Sequence, residues 1–269
     1  MQKTLIIEIP YAALGDHLFH SHLPRIAKET GSYDKVYISL KSPFRHPETK
    51  HLVWDLNPFI DGFIDEHGTT CDIFKFSKQS QEINLLDKIM FHYGLDDGKR
   101  WHEPEIYYKP KFIEKYHCSI YDPNYISWVG EIDKWDIMAY FKKEKIKFDA
   151  IMKIRNNKAL YIPQKEDKFI ETLTLMDFCD LIYSSTRLYC LTTGTAPLAA
   201  SMGKSVTVLF GKNHSDGNLV SRHNTYILVD KCPGNKILNL LKTSLEIIKK
   251  IIPKISLNSL VSLFFFFNL

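Results

Sequence analysis

The five cysteines of this chain, Cys71, Cys118, Cys179, Cys190 and Cys232, contain no Cys-x-x-Cys pair and keep no regular spacing. Neither a zinc site nor a disulfide framework is indicated, and a reducing cytoplasm is the simplest home. Long apolar runs are also missing: no segment reaches the roughly 20 residues of a spanning helix. The amino end carries one lysine and a short apolar run broken by Glu8 and Pro10, unlike the charged start and long apolar core of a signal peptide. Blocks of like charge are absent too. With 35 Lys and Arg against 31 Asp and Glu the formal net charge is +4, spread along the chain, so nucleic acid is not an expected partner. A modest attraction to anionic ligands or a membrane surface stays open.

Two missing motifs narrow the chemistry. No Gly-x-Gly-x-x-Gly follows the first strand and no acidic residue is placed for a ribose, which disfavours a Rossmann-type oxidoreductase or epimerase. No Asp-x-Asp pair follows a strand, and Asp96-Asp97 lies in a loop without other ligands, so neither a metal nor another cofactor is expected.

What is present is α/β patterning over 269 residues with 45% hydrophobic content, enough for two medium domains or one large one. The stretch from Leu191 to Gly211 organises the rest. Thr193, Gly194 and Thr195 sit where a helix begins, so free N–H groups, two hydroxyls and the positive end of the helix dipole face one point suited to a diphosphate. An ordinary α/β unit whose helix start binds nothing has the same local pattern. Ala196, Ala199, Ala200 and Ser201 allow close packing on a sheet, and Gly203 precedes a strand over Val206 to Phe210.

From the amino end, the pattern predicts a strand over Lys3 to Ile9, a loop through Gly15 and Asp16, and a helix from His17 to Glu29 that Pro24 bends or starts. Asp16 next to the helix start is also well placed to be a capping residue. Further strands are expected at Asp34 to Leu40 and after the Asn57 to Asp61 turn, with another candidate at Cys71 to Phe76 and a helix over Gln81 to Tyr93. Gly94 to Asn124, aromatic and proline-rich, reads as a crossover between two halves. The second half restarts with a strand at Tyr125 to Val129, a helix at Lys134 to Lys143, a strand near Lys158 to Ile162, a helix at Thr174 to Tyr183 and a last strand at Thr225 to Val229. Two parallel-sheet halves with a cleft between them follow from this alternation. Lys236 to Lys254 is an amphipathic helix pattern, and Ile255 to Leu269 is strongly apolar, too short to span a membrane but able to rest on one or to pack back on the domain.

The motifs together resemble the family 9 glycosyltransferases, the group that includes the lipopolysaccharide heptosyltransferases. Ala13-Leu14-Gly15-Asp16 after the first strand is similar to that family's Leu-Gly-Asp loop, and Asn57-Pro58-Phe59-Ile60-Asp61 to its Asn-Pro-hydrophobic-hydrophobic-Asp turn. Leu175 to Gly211 carries the most specific part: Cys179-Asp180-Leu181-Ile182, then Thr193-Gly194-Thr195-Ala196, Leu198-Ala199-Ala200, Met202-Gly203-Lys204 and Leu209-Phe210-Gly211. Lys134-Trp135 falls where the family has a basic element at a helix start.

The resemblance implies a GT-B-like fold, two Rossmann-type parallel-sheet domains facing across a cleft and trimmed relative to the family. Residues 1–120 would form the acceptor-side domain, 121–254 the nucleotide-sugar domain and 255–269 an apolar tail. It implies inverting, metal-independent transfer of a sugar, heptose among the candidates, from a nucleotide-diphosphate sugar to lipopolysaccharide, lipooligosaccharide or capsule. The partners are then the nucleotide-sugar donor and a glycolipid or polysaccharide acceptor, in the cytoplasm or peripherally at the cytoplasmic face of the inner membrane. Asp16 is the implied catalytic base. Thr193, Gly194, Thr195 and Lys134 would hold the diphosphate, Thr192 would lie near the donor sugar, and Gly15, His17 and His20 would form the acceptor-side loop. His17, His20 and His22 fit no common metal spacing; a polar rim to the acceptor pocket or a plain surface role is the reading. Two positions depart from the family: Thr192 stands where its aspartate contacts the donor sugar, and Pro197 where it carries a histidine. They leave the donor sugar open, and a degenerate member that binds nucleotide or glycan without transfer is the alternative.

Overall fold

The first half of the chain runs β1 (Thr4–Glu8), α1 (Leu14–His20), α2 (Leu23–Glu29), β2 (Lys35–Ser39), α3 (Pro47–Lys50), β3 (Gly62–Ile64), β4 (Thr69–Thr70) and α4 (Leu85–His92). The structure is a computed structural model and describes residues 2–76, 82–155, 159–214 and 220–232. The strands pair in parallel in the order β3-β2-β1-β4, with Leu5 opposite Val36 and Ile7 opposite both Ile38 and Thr69. Leu5, Ile7, Ile9, Val36 and Ile38 are buried, the apolar run that a sheet covered by helices demands. The single helix expected over 17–29 is two, because Pro24 takes the second position of α2, where its missing N–H costs nothing. Cys71 to Phe76 is not a strand; pairing stops at Thr70, and Asp72 caps a 3₁₀ turn at Ile73–Lys75 instead.

The second half runs β5 (Ser119–Asp122), α5 (Lys134–Lys143), β6 (Ala150–Met152), β7 (Phe169–Ile170), α6 (Leu175–Ser184), β8 (Arg187–Leu191), α7 (Thr195–Ser201), β9 (Thr207–Phe210) and β10 (Thr225–Leu228). All six strands are parallel, in the order β10-β9-β8-β5-β6-β7. The strand placed by sequence at Tyr125 to Val129 is six residues too late. Ser119–Asp122 pairs with both β6 and β8, while 125–129 is loop. The strand expected near Lys158 to Ile162 is likewise not one over 159–162; its place beside β5 belongs to β6. The expected helices at Lys134 to Lys143 and Thr174 to Tyr183 are present, capped by Asp133 and Thr174.

Alternation along the second sheet separates two apolar layers, as a period of two requires. Ile120, Leu188, Cys190 and Val208 join a core that continues through α1, α2, α4 and the first sheet. Tyr121, Leu191 and Leu209 face the other way, into a layer with Ile137 and Phe141 of α5. The Tyr121 ring stacks on Phe148 at 5.3 Å and meets Phe141 edge-on at 5.0 Å. The 103–118 segment is strapped to α6: the Tyr108 hydroxyl and the Lys111 N–H both donate to Asp180, and the Ile113 N–H to Ser184 Oγ. Glu48 of the first half accepts the Leu175 N–H at the start of α6, and the Asn84 amide donates to the carbonyls of His102 and Val220 at 2.7 Å each. Met1–Asp230 forms one compact unit. The amphipathic pattern at 236–254 and the apolar tail at 255–269 lie outside the described residues. Among the described residues no helix is long and apolar enough to cross a membrane.

The loops leaving β5 and β9 cross at two glycines. The Gly211 N–H donates to Val129 O at 2.9 Å and the Glu131 N–H to Lys212 O at 2.8 Å. Gly130 has φ +90°, and a Cβ there would meet Gly211 O at 2.3 Å. Gly130→Ala therefore adds a backbone collision to conformational strain and is expected to cost about 2 kcal/mol or more. Gly98→Ala, at φ +79° in open space, carries only the strain and is expected to cost about 1 kcal/mol. Denaturant midpoints of the two variants against the parent check both.

Candidate active site

Each sheet has one place where successive connections leave in opposite directions, and open parallel sheets bind ligands outside the carboxyl ends of the strands there. In the first sheet it falls between β1 and β4, and in the second between β5 and β8. The segment after β1 leads into α1, whose first turn carries Gly15 and Asp16; the segment after β8 carries Thr192, Thr193 and Gly194 and leads into α7, which Thr195 opens. These two segments touch. A Cβ on Gly15 would stand 3.7 Å from Gly194 Cα, and one on Gly194 would stand 3.4 Å from Leu14 Cβ and 3.5 Å from the Gly15 nitrogen. The two helix starts therefore lie in van der Waals contact.

Asp16 is half-buried in the first turn of α1. One carboxylate oxygen accepts the Ala13 N–H at 3.1 Å, so the expected capping role is real, and Ala13 itself has no side-chain acceptor to share it. Burial pushes the Asp16 carboxyl up to about 6, against the pull of the Ala13 N–H and of the Arg45 charge. A carboxylate so tuned is ionised at neutral pH and still basic enough to take a proton.

The turn after β8 is built from its own hydrogen bonds. The Thr193 N–H donates to Leu191 O at 2.7 Å, the Ala196 N–H to Thr193 O at 3.1 Å and the Thr195 N–H to Thr193 Oγ1 at 3.4 Å. The Gly194 N–H has no acceptor among the described residues. The Thr192 hydroxyl is out of water with no partner there either. Thr195 is buried, and its hydroxyl donates to Asp122 Oδ2 at 2.8 Å. That corrects one expectation: the single hydroxyl proton of Thr195 is committed inside the protein and cannot be given to a diphosphate. Thr193 and Gly194 remain half-exposed. Asp122 and its partner Asn124 were not legible as site residues, because the strand they end was placed after them instead of before.

Lys134 is exposed at the first position of α5, on the same edge of the sheet. Asp133 accepts the N–H groups of Trp135 and Asp136 beside it. No hydrogen bond or ion pair joins Lys134 to the turn among the described residues.

His17 and His20 are a second correction: both are fully buried in the core and rim no pocket. His17 is flat against Phe44 at 4.5 Å, its Nδ1 accepts the Trp54 indole N–H at 3.0 Å and its Nε2 faces Pro43 O at 3.0 Å. That set of partners fixes a neutral ring with the proton on Nε2. His20 Nδ1 donates to Asp16 O at 2.8 Å, and His22 Nε2 to Leu86 O at 3.1 Å. Among the described residues no three His, Cys, Asp or Glu side chains are grouped to hold a metal ion.

No protein-family model matches the sequence, and no curated protein matches it. Solved structures do. A family 9 glycosyl transferase from Veillonella parvula superposes with a TM-score of 0.50 at 10% identity, over 89% of each chain. The dodecameric iron-containing glycosyltransferase TibC of enterotoxigenic Escherichia coli gives 0.53 at 12% identity, over 83% of this chain and 62% of its own. TibC described as a heptosyltransferase in complex with ADP-D-beta-D-heptose gives 0.51 with the same identity and coverage. The chain therefore has the GT-B-like fold of these glycosyltransferases.

Burial pulls His17 and His20 down to about 4 and His22 to about 3. Unfolding exposes rings that regain the ordinary value, so the unfolded chain binds more protons and stability falls as pH drops from about 6.5 to 4. Asp16, pushed up to about 6, and Glu103, which burial also pushes up, act oppositely in the lower part of that window. A net loss of stability on acidification over that window, each ring contributing up to about 1.4 kcal/mol per pH unit, is the expected result of urea titrations at pH 7, 6, 5 and 4.

Proposed function

We propose that this chain is a glycosyltransferase that moves a sugar from a nucleotide-diphosphate sugar to a hydroxyl of a lipopolysaccharide, lipooligosaccharide or capsule acceptor, with inversion at the anomeric carbon and without a metal ion. The observation that carries the reading is the contact between the Asp16 loop and the Thr193-Gly194 turn, one basic carboxylate and one anion-seeking turn at two facing switch points. The fold shared with family 9 glycosyltransferases supports it.

In this mechanism Asp16 takes the proton of the acceptor hydroxyl as its oxygen attacks the anomeric carbon. The bond from that carbon to the diphosphate breaks, and the electron pair leaves with the diphosphate. The Gly194 N–H and the Thr193 hydroxyl donate to the departing oxygens, with Lys134 as a supplementary charge. We assign the acceptor to the half spanning 1–120, the donor to that spanning 121–254, and Thr192 to the neighbourhood of the donor sugar. The acceptor chemistry fits work at the cytoplasmic face of the inner membrane. TibC has been captured with ADP-D-beta-D-heptose, so that is the first donor to try.

Thermal unfolding with ADP-, GDP-, UDP- and CMP-sugars tests donor binding, and one class should raise the midpoint. Asp16→Asn is expected to keep donor binding and to lower transfer by about a hundredfold or more. It should also gain up to about 3 kcal/mol at pH 7, because it no longer holds a charge in a site that disfavours it. The parent's kcat/KM should fall on the acid side of about pH 6. Binding with no transfer to any acceptor, in parent and variant alike, is the outcome of the degenerate reading, which the absence of a carboxylate at Thr192 favours.

A further inference from the structure

The carboxylate of Asp122 stands at the end of β5, beside β8, and is almost wholly buried. No cation pairs with it among the described residues. It is held by donors alone: the Asn124 N–H at 3.1 Å and side-chain amide at 2.9 Å on Oδ1, and the Thr195 hydroxyl at 2.8 Å on Oδ2. Asn124 carries the network further, donating to Lys153 O at 3.1 Å and accepting the Arg155 N–H at 2.9 Å. One chain of hydrogen bonds thus joins the ends of β5 and β6 to the turn after β8.

We propose that Asp122 is a positioning residue for the donor site, fixing the Thr193-Gly194-Thr195 turn through the Thr195 hydroxyl so that the Gly194 N–H and the Thr193 hydroxyl face a nucleoside diphosphate. The proposal rests on the reading of that turn as the donor site. A diphosphate offers only acceptors, so a threonine whose proton is already given away contributes by where it holds the backbone and not by bonding the ligand. In this chain both carboxylate oxygens accept, Oδ1 from Asn124 and Oδ2 from Thr195.

Binding of ADP, GDP and UDP by calorimetry to the full chain and to Thr195→Val, Asp122→Ala, the double variant and Asp122→Asn tests this. Thr195→Val and Asp122→Ala are each expected to weaken the best-bound diphosphate by about tenfold, with no further loss in the double variant. In Asp122→Asn the amide can donate to Thr195, which frees the hydroxyl proton for the ligand and removes the charge, so affinity should match or exceed that of the parent. Parent-like affinity in Thr195→Val, or additive losses in the double variant, overturns the proposal and leaves the donor site standing. If Asp122→Ala does not fold, Thr195→Val against Asp122→Asn decides. A parent that binds none of the three diphosphates overturns the donor site and this proposal together.

Discussion

Contact between Gly15 and Gly194 is the constraint on which the site depends. A Cβ on either residue would lie 3.4 to 3.7 Å from the opposite segment, ordinary van der Waals contact, so the starts of α1 and α7 pack directly against each other. The consequence is chemical as well as steric. The starts of two helices, each with unsatisfied N–H groups, are brought to the same place, and the carboxylate of Asp16 is drawn in beside them, where lost hydration raises its proton affinity. Burial raises the proton affinity of Asp16 at the start of α1.

The polar groups around this contact fall into two sets with opposite treatment. The histidines of α1 and the start of α2 are neutralised by burial and hydrogen-bonded to carbonyls or an indole, which makes them packing residues with polar edges. The carboxylates are handed donors: Asp16 by Ala13, Asp122 by Asn124 and Thr195. Asp87 is a third case away from the site. Its carboxylate accepts the N–H groups of Asn84, Trp101 and His102 along with the His102 ring, which bring it down to about 2 despite burial. The Asp16 carboxylate pairs such a clasp with a proton affinity raised by burial.

Much of the fold could be read from periodicity. The apolar runs of β1, β2, β8 and β9 and the capped helices α5 and α6 are local signals, strong enough to give two parallel sheets and the segments that leave them. The misplaced strand at Tyr125 to Val129 has a physical cause: four residues, Ser119–Asp122, with a polar residue at each end, carry no run long enough to stand out, whereas the loop after them is more apolar. That error hid Asp122, since a residue at a strand's end becomes a site residue only once the strand is known. The histidines misled for a related reason. Their polarity suggested a rim, and only the partners Trp54, Pro43 and Leu86, which lie 26 to 64 residues away, explain why they are inside. The Gly15–Gly194 approach, across the whole length of the two halves, had no local signal beyond the glycines themselves.

A crystal structure of the full chain grown with ADP bears most directly on the central claim, that the Asp16 loop and the turn after β8 form one site. The account predicts diphosphate density within hydrogen-bond distance of the Gly194 N–H and the Thr193 hydroxyl, with the Asp16 carboxylate facing the terminal phosphate. A nucleotide bound on another face of the molecule, with the two glycines still in contact and the turn empty, would contradict it.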